Sequence, residues 1–196
     1  MKPLYATDAL AASLYWMVIV VWIVSEGIIF ARHLTVVGER RQDRLSGPAL
    51  IAGLLVAVWV GGILAYAVRG ATITTARPVV FAAGLVLAVA GVAIRQFAIV
   101  TLGRFFSIRV KTQAGQTVID TGLYRLIRHP SYAGTLLTVL GVLLCATNWV
   151  SLACFVLALP GFAYRIRVEE AALTSALGQP YRDYMRRTKR LVPFVV

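Results

Sequence analysis

Residues 128–170 read RHPSYAGTLLTVLGVLLCATNWVSLACFVLALPGFAYRIRVEE: a basic lead-in, two apolar runs and a charged exit. The runs are Tyr132 to Ala146 and Trp149 to Tyr164, and Thr147-Asn148 between them reads as a tight turn. Together they predict a helical hairpin that crosses a membrane and returns. Such a hairpin brings Arg128-His129 and Glu169-Glu170 to one membrane face.

Working outward, three further stretches meet the roughly 20 apolar residues that a bilayer core demands of a helix. They are residues 10–31, interrupted by Glu26, residues 48–68, opened by Pro48, and residues 79–101. The expected fold is therefore all-α: one integral membrane domain of about five spans, with a helical segment after the last. Gly178-Gln179-Pro180 stops the helix carrying the two glutamates, and Tyr181 to Arg187 suits a short amphipathic helix. Between spans three and four, Ser107 to Val110 alternates like a short extended piece, and Gly115 and Asp120-Thr121-Gly122 signal turns. The basic residues test this layout. With five spans, 17 of the 20 lysines and arginines fall on one side, which the positive-inside rule makes cytoplasmic, the C-terminus with it.

Composition narrows the function classes. The 196 residues are 59% hydrophobic and 14% charged, with mean hydropathy +0.78, well outside the soluble range. A net charge of +12 would suggest nucleic acid in a soluble chain, but here the basic residues flank apolar runs, where anionic lipid headgroups account for them. Cys145 and Cys154 lie in or beside apolar runs without ligand spacing, so neither a disulfide framework nor a metal site is expected. The first apolar run is span-length with no cleavage signature after it, so it reads as a span rather than a removed signal. Arginine far outnumbers lysine, which hints at a GC-rich bacterial genome and hence a bacterial cytoplasmic membrane.

Few residues can carry chemistry. Pro130 forces His129 away from helical geometry, so His129 should be fixed and extended before span four, binding a polar ligand or capping the next helix. Arg128 suits a carboxylate or phosphate, or anchors the chain at the interface. Tyr124 and Tyr132 flank the pair, to stack on a base or to join the aromatic belt. Glu169 and Glu170 stand out because acids are scarce. About 100° apart on a helix, only one of them faces Arg128-His129, and the other is left for Arg165 or Arg167. Glu26 inside span one is either functional or paired with Arg32 or Arg95. There is no nucleophile–base set, P-loop or G-x-G-x-x-G, so chemistry would rest on positioning a reactive cofactor.

Several of these features form a longer pattern. R-H-P-S-Y-x-G spans Arg128 to Gly134, followed by Gly141, Asn148 and R-x-E-E at Arg167 to Glu170. L-x-x-x-L-G-x-x-Y-x-x-Y runs from Leu173 to Tyr184 and T-x-R-L-V-P-F from Thr188 to Phe194, with Arg95, Leu102-Gly103, Phe106-Ser107 and Thr121 to Tyr124 upstream. In order and spacing, residues 95–196 resemble the isoprenylcysteine carboxyl methyltransferase family; the first two spans match only in hydrophobicity. The resemblance implies an integral membrane enzyme that uses S-adenosylmethionine without a Rossmann domain. It places the cofactor at the cytosolic ends of the last spans, under the C-terminal segment, with a lipidic or prenylated acceptor entering from the bilayer. Carried over by motif, Tyr124, His129, Pro130 and Tyr132 shape the cofactor pocket and Glu169 or Glu170 holds the cofactor's polar groups. Arg128, with Glu170, stands nearest the chemistry and orients a carboxylate. The acceptor most like the family's is the carboxylate of a prenylated cysteine. Phospholipid amines, small thiols, an NADPH-dependent lipid or sterol reduction and a small transporter are the alternatives, and the oligomeric state is left open.

Overall fold

Helix ends in this protein are set by prolines, glycines and short polar side chains. The computed structural model describes residues 1–33, 45–108 and 115–192. Arg40, Arg41, Arg44, Lys111, the second half of the expected extended piece (Arg109-Val110) and Pro193-Phe194 lie outside them. Among the described residues the chain is all-helical. Helix α1 (Ala9–His33) follows Asp8, whose carboxylate accepts the backbone N–H of Ala11 at 2.7 Å. Then come α2 (Ser46–Ala67) and α3 (Arg77–Leu102). Pro78 sits in the first turn of α3, and Gly103 ends it at φ +52°, where a side chain would be strained. Next are α4 (Pro130–Cys145), α5 (Trp149–Ala153), α6 (Leu159–Leu177) and α7 (Gln179–Arg187).

Among the described residues, four stretches are long and apolar enough to cross a membrane: Ala9–Arg32, Ser46–Ala67, Arg77–Phe105 and Trp149–Leu177. Helix α4 is apolar too but has only 16 residues, and it is the buried helix of the bundle. The small residues Gly84, Ala88 and Gly91 of α3 meet Gly134, Thr138, Gly141 and Cys145 of α4, so the two backbones touch. A Cβ added at Gly134 would lie 2.7 Å from the amide nitrogen of Arg95, and one at Gly84 2.7 Å from the Cys145 sulfur. Close approach through small residues is how helices bind in lipid, where no hydrophobic force drives them together.

The expected hairpin is present, but its arms do not pack chiefly on each other: α4 lies on α3, while the α5–α6 limb lies on α2. The cause is again small residues, since a Cβ at Gly161 would come within 2.8 Å of the Ala49 carbonyl oxygen in α2. Nor is 149–164 one regular helix. Cys154–Ala158 tightens into a 3-10 segment just before Pro160, which has no N–H to give and whose ring crowds the carbonyl four residues back.

The turn at the far end is as expected, and more built. Thr147 takes φ +49°, and Asn148 caps α5 by accepting the N–H groups of Val150 at 2.9 Å and Ser151 at 3.2 Å. Its amide also donates to the Val68 carbonyl at 2.9 Å, fastening the turn to the end of α2. Nearer the other end, Glu26 of α1 is paired with Arg95 rather than left free. Arg95 grips it through both Nε and Nη2, the latter 2.7 Å from Oε2, and donates from Nη1 to the Ser131 hydroxyl at 2.9 Å. One arginine thus ties α1, α3 and the start of α4 together.

Candidate active site

At the end of the bundle where α4 begins, the chain from 188 to 190 runs parallel to residues 127–129. The N–H groups of Arg128 and His129 donate to the carbonyls of Lys189 at 2.7 Å and Arg190 at 3.0 Å. Pro130 keeps His129 out of the helical region, at φ −125° and ψ 57°, so it is non-helical but less extended than the proline rule suggests. Glu170 closes this arrangement. Its carboxylate accepts from Arg128 Nε at 2.8 Å and Arg190 Nη2 at 2.9 Å, and His129 Nε2 lies 3.4 Å away. Arg128 also donates to the carbonyls of Met185, at 3.1 Å, and Thr188. Two guanidinium groups and an imidazole therefore converge on one buried carboxylate, and the C-terminal segment is held against the lead-in to α4.

Beside this knot lies a partly open pocket with a cavity of about 100 Å³. Residues 165, 169, 172 and 173 line it from α6, one face of the helix at i, i+4 spacing. That geometry separates the two glutamates. Glu169 is on the pocket wall, and Glu170, one step round the helix, belongs to the knot. The Tyr132 hydroxyl donates to Glu169 Oε2 at 2.6 Å and accepts from Arg165 Nε at 3.1 Å. Its ring stacks on His129, with centroids 5.5 Å apart and planes at 15°. Tyr124, Tyr181 and Tyr184 complete an aromatic side, braced where the Tyr184 hydroxyl donates to the Tyr124 carbonyl at 2.8 Å. Burial pushes all three phenols above their ordinary values, so they stay neutral hydrogen-bond groups.

Of the residues named from sequence, Tyr124, Arg128, His129, Tyr132 and Glu169 line this pocket, and Pro130 lies buried at the start of α4 behind it. Residues 84–175 match the model of the isoprenylcysteine carboxyl methyltransferase (ICMT) family. Over that stretch the chain resembles this family. It is 36% identical over 115 residues to a probable protein-S-isoprenylcysteine O-methyltransferase of Oryza sativa subsp. indica, a match covering 57% of this chain and 60% of the rice protein. Protein-S-isoprenylcysteine O-methyltransferase A of Arabidopsis thaliana is 37% identical over 57% of this chain and 58% of its own length. The Saccharomyces cerevisiae protein-S-isoprenylcysteine O-methyltransferase is 33% identical over 57% of this chain and 48% of its length. The chain thus spans three-fifths or less of these curated relatives. A solved structure of the eukaryotic intramembrane Ras methyltransferase ICMT superposes with TM-score 0.59 at 24% identity, over 74% of this chain and 52% of that one, and shows that the fold is shared.

Sequence reasoning missed Arg165, Tyr181 and Tyr184 as pocket residues. Arg165 looked like a local counter-ion for a glutamate four or five positions on. The signal lay in its spacing, because Arg165 and Glu169 share one helix face. The tyrosines were visible only as letters of a motif, since their inward direction depends on how the tail folds back.

Proposed function

We propose that this protein transfers a methyl group from S-adenosylmethionine to a carboxylate on a lipophilic acceptor, most like a prenylated cysteine, at the cytoplasmic face of a membrane. The observation that carries this reading is the pocket itself, lined by an aromatic wall with Glu169 and Arg165, most of it inside the region that matches the family model. That lining fits a nucleoside with a zwitterionic tail: tyrosine faces for the base, a carboxylate for an ammonium group or ribose hydroxyls. The cofactor supplies an electrophilic methyl group on a sulfonium.

The residues do the rest by placement. Tyr124, Tyr181 and Tyr184 form the apolar side and exclude water. Glu169, held by the Tyr132 hydroxyl, fixes the cofactor's polar end, and His129 and Pro130 hold Tyr132 in place. Glu170 acts as a positioning residue that keeps Arg128 and the tail in register. Methyl displacement requires alignment more than proton transfer, and alignment can lower a barrier by up to about 7–11 kcal/mol. The excess of basic residues at the pocket end supports a cytoplasmic site and contact with anionic lipid.

The test is calorimetry of purified, detergent-solubilised protein with S-adenosylhomocysteine, followed by radiolabelled methyl transfer to S-farnesyl-N-acetylcysteine. Binding and labelling are the expected results. NADPH binding without S-adenosylhomocysteine binding would overturn the reading in favour of a reductase.

A further inference from the structure

Helix α1 reaches the pocket through one arginine. Arg95 of α3 holds the Glu26 carboxylate with Nε and Nη2, and its Nη1 donates to the Ser131 hydroxyl at 2.9 Å. Ser131 is on the pocket wall and only 7% exposed, and Arg95, outside the lining, stands behind it. One lone pair of the hydroxyl is thus taken, while among the described residues its O–H has no protein acceptor. A buried donor left unmet is costly, and this one is on a cavity wall, so the acceptor it suits belongs to a ligand. A hydroxyl that accepts from a guanidinium is also the stronger donor, because hydrogen bonds in a chain polarise one another.

Charge gives Glu26 its part. S-adenosylmethionine carries a sulfonium cation, which an uncompensated guanidinium behind the wall would oppose. The influence of Arg95 does extend to the pocket lining: burial raises the Tyr124 phenol, and the Arg95 charge acts against that rise. Glu26, gripped at two atoms, balances the charge while leaving Nη1 to hold Ser131. This carboxylate comes from α1, outside residues 84–175 that match the family model.

We propose that Arg95 and Glu26 are positioning residues for the methyl donor: Arg95 sets the Ser131 hydroxyl as a hydrogen-bond donor to it, and Glu26 keeps that support neutral toward its sulfonium. This rests on the methyltransferase reading and adds α1 to the site.

The experiment measures S-adenosylmethionine and S-adenosylhomocysteine binding by calorimetry on wild type, E26Q, S131A, E26Q/R95M and the triple variant E26Q/R95M/S131A. S131A should weaken both ligands about two- to tenfold, the worth of a neutral hydrogen bond. E26Q/R95M should weaken S-adenosylhomocysteine to a similar extent, and the triple variant should lose less than about twofold beyond S131A. E26Q keeps an acceptor for Arg95 but deletes the charge, so it should weaken S-adenosylmethionine about three- to tenfold more than S-adenosylhomocysteine, whose sulfur is neutral. That ratio is read within one preparation, so it survives partial loss of folded protein, and E26Q with S131A decides the matter if the arginine variants do not fold. A merely structural tie would lower affinity for both ligands alike. Equal weakening of the two by E26Q, wild-type affinity in S131A, or losses that multiply in the triple variant would each overturn the inference alone. A wild type that binds neither ligand would defeat the methyltransferase reading and this inference with it.

Discussion

Replacing Glu170 with alanine tests whether the knot, rather than the pocket, is this residue's purpose. The side chains of Glu170 and Arg128 are each only 9% exposed, so the variant leaves a buried guanidinium with carbonyl partners alone. Removing one member of a buried pair costs about 3–5 kcal/mol. The Arg190 contact adds little, because that side chain is 48% exposed and such pairs contribute about 1 kcal/mol or less. The loss falls on docking of the segment after Gly178, not on the spans. Trypsin reports it, since cleavage at Arg182, Arg186 or Arg187 requires that segment to open. A loss of this size speeds cleavage by roughly a hundredfold to a few thousandfold where opening is at equilibrium. The double variant E170A/R128M removes the orphaned charge as well and should recover at least half of that protection. The reasoning fails if E170A is cut within about threefold of the wild-type rate, or if the double variant opens as readily as the single one.

Glu169→Gln keeps an acceptor for the Tyr132 hydroxyl but deletes the pocket charge, so S-adenosylhomocysteine affinity in calorimetry should fall about tenfold or more while tail cleavage stays at the wild-type rate. Gly141→Leu forces apart two backbones that now touch, and should lower stability in detergent by at least about 1–3 kcal/mol; Gly27→Leu, with nothing within 4 Å, should leave the melting temperature unchanged. Asn148→Ala loses the α5 cap and the bond to Val68, costing about 1–2 kcal/mol on thermal melting, and Asn148→Asp, which keeps the cap oxygen, should recover part of it.

Much of the fold was legible because a bilayer imposes one simple demand, about 20 apolar residues per crossing, and α1, α2 and α3 meet it within a few residues of the expected ends. Prolines and glycines marked the turns for the same reason: their backbone limits act locally. What escaped was contact between helices. Hydropathy alone assigns no partner, so the glycine spacing that draws α4 to α3 and leaves α5–α6 on α2 went unseen. Residues 149–164 read as one apolar run, and the stretch before Pro160 instead tightens into a 3-10 segment. At the site, helical periodicity said that Glu169 and Glu170 diverge, but assigning them required knowing that the tail returns to bury Glu170. The same fold-back turns Tyr181 and Tyr184 inward and leaves Arg165, expected to serve a neighbouring acid, on a hydroxyl instead.

The pairing of residues 127–129 with 188–190 has a consequence for biogenesis. Arg128 and Thr188 are 60 positions apart, and every helix among the described residues lies before the second of them. A ribosome thus delivers the four described apolar spans to the membrane while the pocket still lacks a wall. The newborn protein passes through a stage that is inserted and packed yet unable to enclose a ligand, with an arginine-rich tail trailing in the aqueous phase. Competence arrives with the clipping of that tail rather than with insertion, and a cell's proteases meet their best opportunity in the interval between the two.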